Sequence, residues 1–350
     1  MKLRSLLFTA FAAAEQSFHV HFDTPLHFDT PRLRFRFTAF NHSFEVDAWK
    51  NEDLFAAHYT ETVDAGTIRP HRHCHYHASI EGGGTAAFST CGGGGIDGRF
   101  WVEGHDLLVR PEAPSNKRRL QSALRHTARP FSDVMLREIG FRCGVHDEDH
   151  THDHDAHDAH EHEPHGRNLA IGATQKYVEI LAINDFSRYT SFGGDANALT
   201  SMAASTAAIL NVFTAIYRSP TGANSAWTGG VQLQVVLVGQ HSFTTSDPWE
   251  ATVMSTANGQ TISNGDVDSS SLLDRFNTWV STAEQSSAVA AHDNHVLISG
   301  RNFEGSTVGL AGVDTICGGR TSGNVNMGTV SSPNAAVAAV VSHELGHNFG

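Results

Sequence analysis

Residues 146–165 read HDEDHTHDHDAHDAHEHEPH, eight histidines and eight acidic residues with no Lys or Arg between them. A stretch of that composition has almost nothing to bury, so it cannot belong to a packed core. Whatever cores this chain builds must lie on either side of it. A length of 350 residues with 40% hydrophobic content leaves room for a domain on each flank. The tract also carries most of the acidity: the formal net charge is −13, and without its eight carboxylates it is −5. The remainder offers no basic surface of the kind that nucleic-acid binding requires, which excludes that class of partner. Neutral imidazoles and carboxylates suit Zn²⁺, Ni²⁺ or Cu²⁺, so residues 146–165 are a candidate for capturing divalent metals; the plainer reading is a solvated linker. Unperturbed histidines titrate near pH 6.5, so acidification takes the tract from about −8 to about neutral.

The two flanks differ in texture. Residues 15–145 alternate in short runs broken by Gly and Pro, as in HVHFDTPLHFDTPRLRFRFTAF with its tandem HFDTP, and in GGGTAAFSTCGGGGIDGRFWVEGHDLLVRPE. Period-two patterning with glycine turns predicts a β-rich domain. From residue 168 strands and helices take turns. KYVEILAIND (176–185), VQLQVVLVG (231–239), HVLISG (295–300) and TVGLAGVDTIC (307–317) read as strands. ANALTSMAASTAAILNVFTAIYR (196–218) and SSSLLDRFNTWVSTAEQ (269–285) have helical spacing. A last helix is expected from Ser332 as N-cap, with Pro333 at its first position, through NAAVAAVVSHELGHNF. The alternation predicts an α/β domain over 168–350, following the linker at 146–167.

At the start, MKLRSLLFTAFAAAEQS places Lys2 and Arg4 before a short apolar run and the small residues Ala12, Ala13 and Ala14, the pattern of a secretory leader over 1–14. No other stretch reaches the roughly 18 uninterrupted apolar residues of a membrane span. Secretion would bring Cys74, Cys91, Cys143 and Cys317 into an oxidising compartment. The sequon Asn41-His42-Ser43 agrees with that route.

The chemistry sits in SHELGHNFG, residues 342–350. His343 and His347 are four apart, so a helix presents both imidazoles on one face, where they can grip one zinc ion. Glu344 follows the first ligand, where its carboxylate can take a proton from a water on the metal. The competing reading, a chance HExxH in a chain with 24 histidines, is weakened by Gly350, by the apolar helix leading in and by the α/β context.

HELGHNFG resembles the HExxHxxGxxH signature of the metzincins, and the wider likeness is to the reprolysin-type (ADAM-like) metalloproteases. KYVEILAINDFSRY is similar to that family's first strand, LLDRFNTWV to its second long helix, and HDNHVLISGRNFEGSTVGLAGVDTIC to the segment entering its active-site cleft. CHYHASIEGGGTAAFSTCGGGGIDGRF is similar to its prodomain. The resemblance implies a metzincin-like α/β catalytic domain, a twisted and mostly parallel sheet with long helices and the zinc helix last, preceded by the β-rich prodomain. It implies a disulfide between Cys74 and Cys91, and a partner for Cys317 beyond the zinc helix. FRCGV, around Cys143, resembles the family's cysteine switch, in which a prodomain thiolate binds the zinc of the latent form. Glu179 and Asp293 match positions that contribute to a structural calcium site. The strand at 307–312 matches the edge along which a peptide substrate lies antiparallel.

Two departures accompany the likeness. The third histidine, expected at position 353, and the methionine turn are not within these residues, so the chain is expected to be a poor enzyme by itself. No furin-type basic site stands at the domain junction: Arg167 is alone there, and Lys117-Arg118-Arg119 lies earlier. The reading is thus a secreted zinc endopeptidase zymogen acting on protein or peptide substrates. Two other classes share its features, a secreted non-catalytic metal-binding protein with a relic protease domain, and an HExxH hydrolase with a Glu third ligand.

Overall fold

The computed structural model describes residues 15–23, 30–64, 66–68, 72–91, 95–102, 105–112, 123–131, 142–143, 174–218, 231–249, 256–257, 260–261, 266–316 and 321–350. Residues 1–14, expected to be a leader, the His/Asp tract, Lys117-Arg118-Arg119, Arg167 and Cys317 lie outside them; Cys143 is described by its backbone.

The first half is built on strands β1 (Gln16–Phe22), β2 (Arg32–Ala39), β3 (His42–Lys50), β4 (Phe55–Val63), β5 (Gly66–Ile68), β6 (His75–Ile80), β7 (Gly84–Ser89), β8 (Asp97–Val102), β9 (His105–Pro111) and β10 (Ala123–Pro130). All but β4 and β5 close into an antiparallel barrel of order β1-β10-β9-β8-β7-β6-β3-β2. The alternation read from the sequence is what fills it. In β2, Leu33, Phe35, Phe37 and Ala39 point inward, while Arg32, Arg34, Arg36 and Thr38 face out. Phe37 stacks on Phe18 and Phe44 at 4.8 and 4.7 Å between centroids and meets Phe100 edge-on at 5.6 Å, so aromatic rings fill the barrel core. Cys74 and Cys91 form a disulfide with Cα atoms 5.3 Å apart, at the end of the β6–β7 pair.

The second half adds β11 (Arg142–Cys143), β12 (Thr174–Asn184), α1 (Phe186–Ser191), α2 (Ala196–Arg218), β13 (Val231–Ser242), the small pair β14 (Thr256–Ala257) and β15 (Gln260–Thr261), α3 (Ser269–Gln285), β16 (Asn294–Ser299), β17 (Thr307–Ala311), β18 (Gly323–Met327) and α4 (Asn334–Phe349). The main sheet runs β11-β17-β18-β16-β12-β13-β4-β5. Its pairs are parallel except β17–β18 and β4–β5. Ile180 and Ala182 of β12 face a core shared with Ile209 and Phe213 of α2 and Val341 and Leu345 of α4. Leu181 and Ile183 face the opposite layer, where Leu272, Phe276 and Val280 of α3 pack. A strand buried on both faces is apolar throughout, which is why KYVEILAIND shows no alternation. Among the described residues α2 has the length and composition of a membrane span, but 67% of its most apolar stretch is buried inside the fold.

Three features differ from the sequence expectation. The strand read over 307–317 ends at Ala311 and gives way to a turn at 313–314. The hairpin β4–β5, from the first half, leaves the barrel and pairs with β13. Helix α4 takes Pro333 rather than Ser332 as N-cap, without a side-chain cap; the Ser332 hydroxyl instead accepts from the Thr329 amide at 3.1 Å, held in the preceding turn.

Candidate active site

Helix α4 lies with Ala335, Ala338, Val341 and Leu345 in the core, which turns His343 and His347 to its open side. Their Nε2 atoms approach to 3.1 Å with the rings nearly perpendicular. Partial burial, and then the neighbouring His347, hold the His343 imidazole below its usual pKa, favouring the neutral ring. Glu344, one position on, is fully buried. It lies against β17: a Cβ built on Gly309 would stand 2.5 Å from Glu344 Oε1 and 2.8 Å from Val340 Cγ1. The helix ends at Gly350, whose φ of 104° belongs to the left-handed region that glycine tolerates.

The end of α4 is pinned by a residue that sequence reading passed over. Asn348 is fully buried. Its Nδ2 donates to the carbonyls of Gly312 (2.9 Å) and Gly323 (3.2 Å) and to Thr315 Oγ1 (2.9 Å). Its Oδ1 accepts from Asn294 (2.9 Å) and Asn324 (3.1 Å), and Asn326 donates to Asn324 Oδ1 at 2.7 Å. This asparagine ladder ties β16, β18 and the β17–β18 connection to the helix carrying His343 and His347. Its only sequence signal is Asn at alternate positions of otherwise buried strands, in GNVNM. On the other side, Tyr217 of α2 donates to the Ser342 carbonyl at 2.8 Å.

β11 runs parallel to the outer edge of β17, with Arg142 beside Thr307 and Cys143 beside Gly309. The backbone of Cys143 therefore stands across one strand from Glu344, 201 residues away in sequence. Glu179 and Asp293 are also brought together: Asp293 N donates to the Glu179 carbonyl and Glu179 N to Asp293 Oδ2, both at 2.9 Å.

A sequence model of metallo-peptidase family M12 matches residues 174–350. The chain belongs to this family. The match covers the main sheet from β12 onward and the four described helices. The reprolysin family propeptide matches residues 10–81, so this M12 chain carries propeptide sequence ahead of its peptidase domain. The disintegrin and metalloproteinase domain-containing protein 19 of Mus musculus is 27% identical over 330 residues, 91% of this chain and 31% of that protein. The chain thus spans less than a third of the relative's length. Membership of a metallopeptidase family implies a catalytic metal.

The donor set fits zinc. Two imidazole nitrogens bound tetrahedrally at about 2.0–2.1 Å to one zinc stand about 3.3 Å apart, close to the spacing of His343 and His347. For calcium, which takes about 6–8 oxygen ligands, Glu179 and Asp293 offer two carboxylates, one already accepting an amide.

Proposed function

We propose that this chain is the zymogen of a zinc metalloendopeptidase, in which His343 and His347 hold the metal and Glu344 is the general base. The observation that carries the reading is the convergence of the two Nε2 atoms at 3.1 Å beside a fully buried carboxylate, on the helix that closes the M12 match. Zinc held there supplies Lewis acidity to the attacking water and to the scissile carbonyl. Glu344 takes the proton from that water and passes it to the leaving amine. Its burial under β17 fixes its rotamer and excludes bulk water, which strengthens its interactions.

In the latent form Cys143 supplies a thiolate as third protein ligand, joining His343 and His347. The pairing of β11 with β17 supports this, because it occupies the edge where an extended substrate would add a strand. β11 runs parallel to β17, whereas a substrate is expected to run antiparallel, so the propeptide fills the cleft in the reverse sense. The substrates are proteins or peptides of the extracellular space or cell surface, reached through the secretory leader at 1–14. Glu179 and Asp293 contribute to a calcium site whose other ligands come from elsewhere. The domain limits follow the sequence reading: propeptide 15–145, linker 146–167, peptidase 168–350.

The test is zinc stoichiometry and hydrolysis together. The purified chain should bind one zinc tightly, and His343→Ala with His347→Ala should abolish that binding. After removal of the first half, any hydrolysis of a denatured protein substrate should vanish with chelator and fall by orders of magnitude in Glu344→Gln. Tight zinc uptake that survives loss of both histidines would refute the assignment.

A further inference from the structure

The first half of the chain meets the peptidase sheet at both edges. β11 lies on β17 beside the candidate site, and β4–β5 lies on β13 at the far edge. The far contact uses none of the motif residues. Thr60, Glu61, Thr62 and Val63 pair in register with Gly239, Gln240, His241 and Ser242. Between these strands Gln240 Nε2 donates to the Tyr59 hydroxyl, which donates to Glu61 Oε1, both at 2.8 Å. Beside the ladder, Asn211 of α2 is fully buried and reaches into the barrel wall. Its Nδ2 donates to the carbonyls of Tyr76 (3.1 Å) and Phe88 (3.2 Å), and its Oδ1 accepts from Asn51 (3.0 Å). Leu54, Ala87, Leu108 and Phe131 of the first half complete the core under α2.

Two histidines are sealed into this contact. His77 of β6 is 6% exposed. Its Nε2 donates to the Asn211 carbonyl at 3.1 Å, which leaves Nδ1 as a lone pair facing Arg218 NH1 at 3.5 Å. A proton on Nδ1 would set two cations face to face; the Asp53 carboxylate, 2.8 Å from Arg218 NH2, offsets this in part. His241 of β13 is 5% exposed. Its Nδ1 lies 2.8 Å from Thr62 Oγ1, and its ring lies against Phe243 and Trp279, 4.7 and 5.3 Å between centroids. Its Nε2 is buried with no hydrogen-bond partner among the described residues, so an imidazolium there would hold an unsatisfied N–H. The charged group facing it is Asp64, which is committed to Thr244 and Thr245.

We propose that the β13 edge and the adjoining face of α2 form an anchor for the first half of this chain that acts independently of Cys143, holding at neutral pH and releasing in acid. The proposal rests on reading the first half as the propeptide of a latent peptidase. Burial lowers the pKa of His77 to about 4, with Arg218 adding to it, and burial lowers His241 against the pull of Asp64. Once the halves part, both rings are solvated and titrate near pH 6.5. The separated state then binds more protons between pH 6.5 and the joined-state values. Association is therefore full above about pH 6.5 and falls as pH drops, by about tenfold per pH unit for each histidine until its joined-state value is passed.

The experiment places a specific protease site within residues 146–165 of the full chain, cuts it, and follows association by gel filtration and by dilution in chelator. Chelator removes any metal link, so failure of the zinc reading does not affect the outcome. The cut halves should co-migrate at pH 7.5, in Cys143→Ser as in the parent, and separate at pH 5.5 with association at least tenfold weaker. His77→Gln with His241→Gln should remain joined at pH 5.5. In the uncut parent, amide exchange corrected for intrinsic rates should show residues 60–63 and 239–242 losing protection at pH 5.5 before the barrel strands. Separation of the cut Cys143→Ser protein at pH 7.5, or a β4–β13 ladder as protected as the barrel at pH 5.5, would overturn the proposal.

Discussion

Glu344 rests against Gly309 only because Gly309 has no side chain: a Cβ there would stand 2.5 Å from Glu344 Oε1 and 2.8 Å from its Cγ. The strand thus comes within backbone distance of the helix at the position of the proposed general base. The same glycine pairs with Cys143 across the sheet edge. One small residue is therefore where β11, the edge strand β17 and Glu344 meet.

Gly309→Ala should force that carboxylate, or the strand, to move. Overpacking of a dense site costs about 1–3 kcal/mol, which denaturant unfolding of the full chain will show as a lower midpoint. Zinc uptake should persist, because neither imidazole is touched. An unchanged midpoint would mean that Glu344 has room to yield.

The contact between the halves allows buried and exposed polar links to be compared. Asn211→Ala removes the amide that bonds two carbonyls and the Asn51 side chain in a dry site, at a cost of about 1–3 kcal/mol. Arg218→Ala removes an ion pair whose side chains are 30% and 64% exposed, and such pairs contribute about 0–1 kcal/mol. Equilibrium unfolding should rank Asn211→Ala as clearly the worse. The reverse order would show that charge rather than buried hydrogen bonding joins α2 to the barrel.

Tyr59→Phe removes a hydroxyl that both accepts from Gln240 and donates to Glu61, the latter 2% exposed. Burial, and then the charge of Glu61, raise the phenol's pKa, so it stays protonated and keeps donating across the accessible pH range. Its loss should destabilise the chain by about 1–3 kcal/mol. Hydrogen exchange should quicken in β4 and β13 and remain unchanged in the barrel. Uniform quickening would mean that the two regions unfold as one unit.

Much of the peptidase half was legible from local pattern. Helices α2 and α3 run over the residues their spacing indicated, and β12, β13 and β16 fall within a few residues of the apolar runs that suggested them, because period and burial are local properties. β18 was not legible: GNVNM places Asn324 and Asn326 inside the sheet, and asparagine in a short run reads as turn. Their hydrogen bonds to the ladder, which no local window contains, are what make burial tolerable. The departure of β4 from the barrel was equally hidden. FAAHYTETV lacks the clean alternation of β2, and its neighbours are in β13, some 180 residues on. At the site, the motif showed which side chains could converge, whereas Gly309 and Asn348 emerged only from packing.

The tract at 146–165 should bind several divalent metals weakly, because its alternating imidazoles and carboxylates match no single metal's ligand pattern. Titrating the isolated peptide with Zn²⁺ should show binding at pH 7.5 that is largely lost at pH 5.5, where the unperturbed imidazoles are protonated. Equal binding at both pH values would assign the interaction to the carboxylates.

Cobalt substitution separates the two roles proposed for the first half. With a Cys143 thiolate as ligand beside His343 and His347, Co²⁺ in place of zinc should show the near-ultraviolet absorption of sulfur-to-metal charge transfer. That band should vanish in Cys143→Ser, while cobalt remains bound more weakly through the two imidazoles. In His343→Ala both band and binding should be lost, since neither remaining ligand is paired on the helix face. The test is motivated by the backbone pairing of Cys143 with Gly309, the residue that Glu344 rests against. Cobalt spectra of parent and Cys143→Ser that coincide would remove the thiolate from the site. Latency would then rest on β11 filling the cleft edge and on the far anchor at β13, and cutting within 146–165 at neutral pH should leave the peptidase covered.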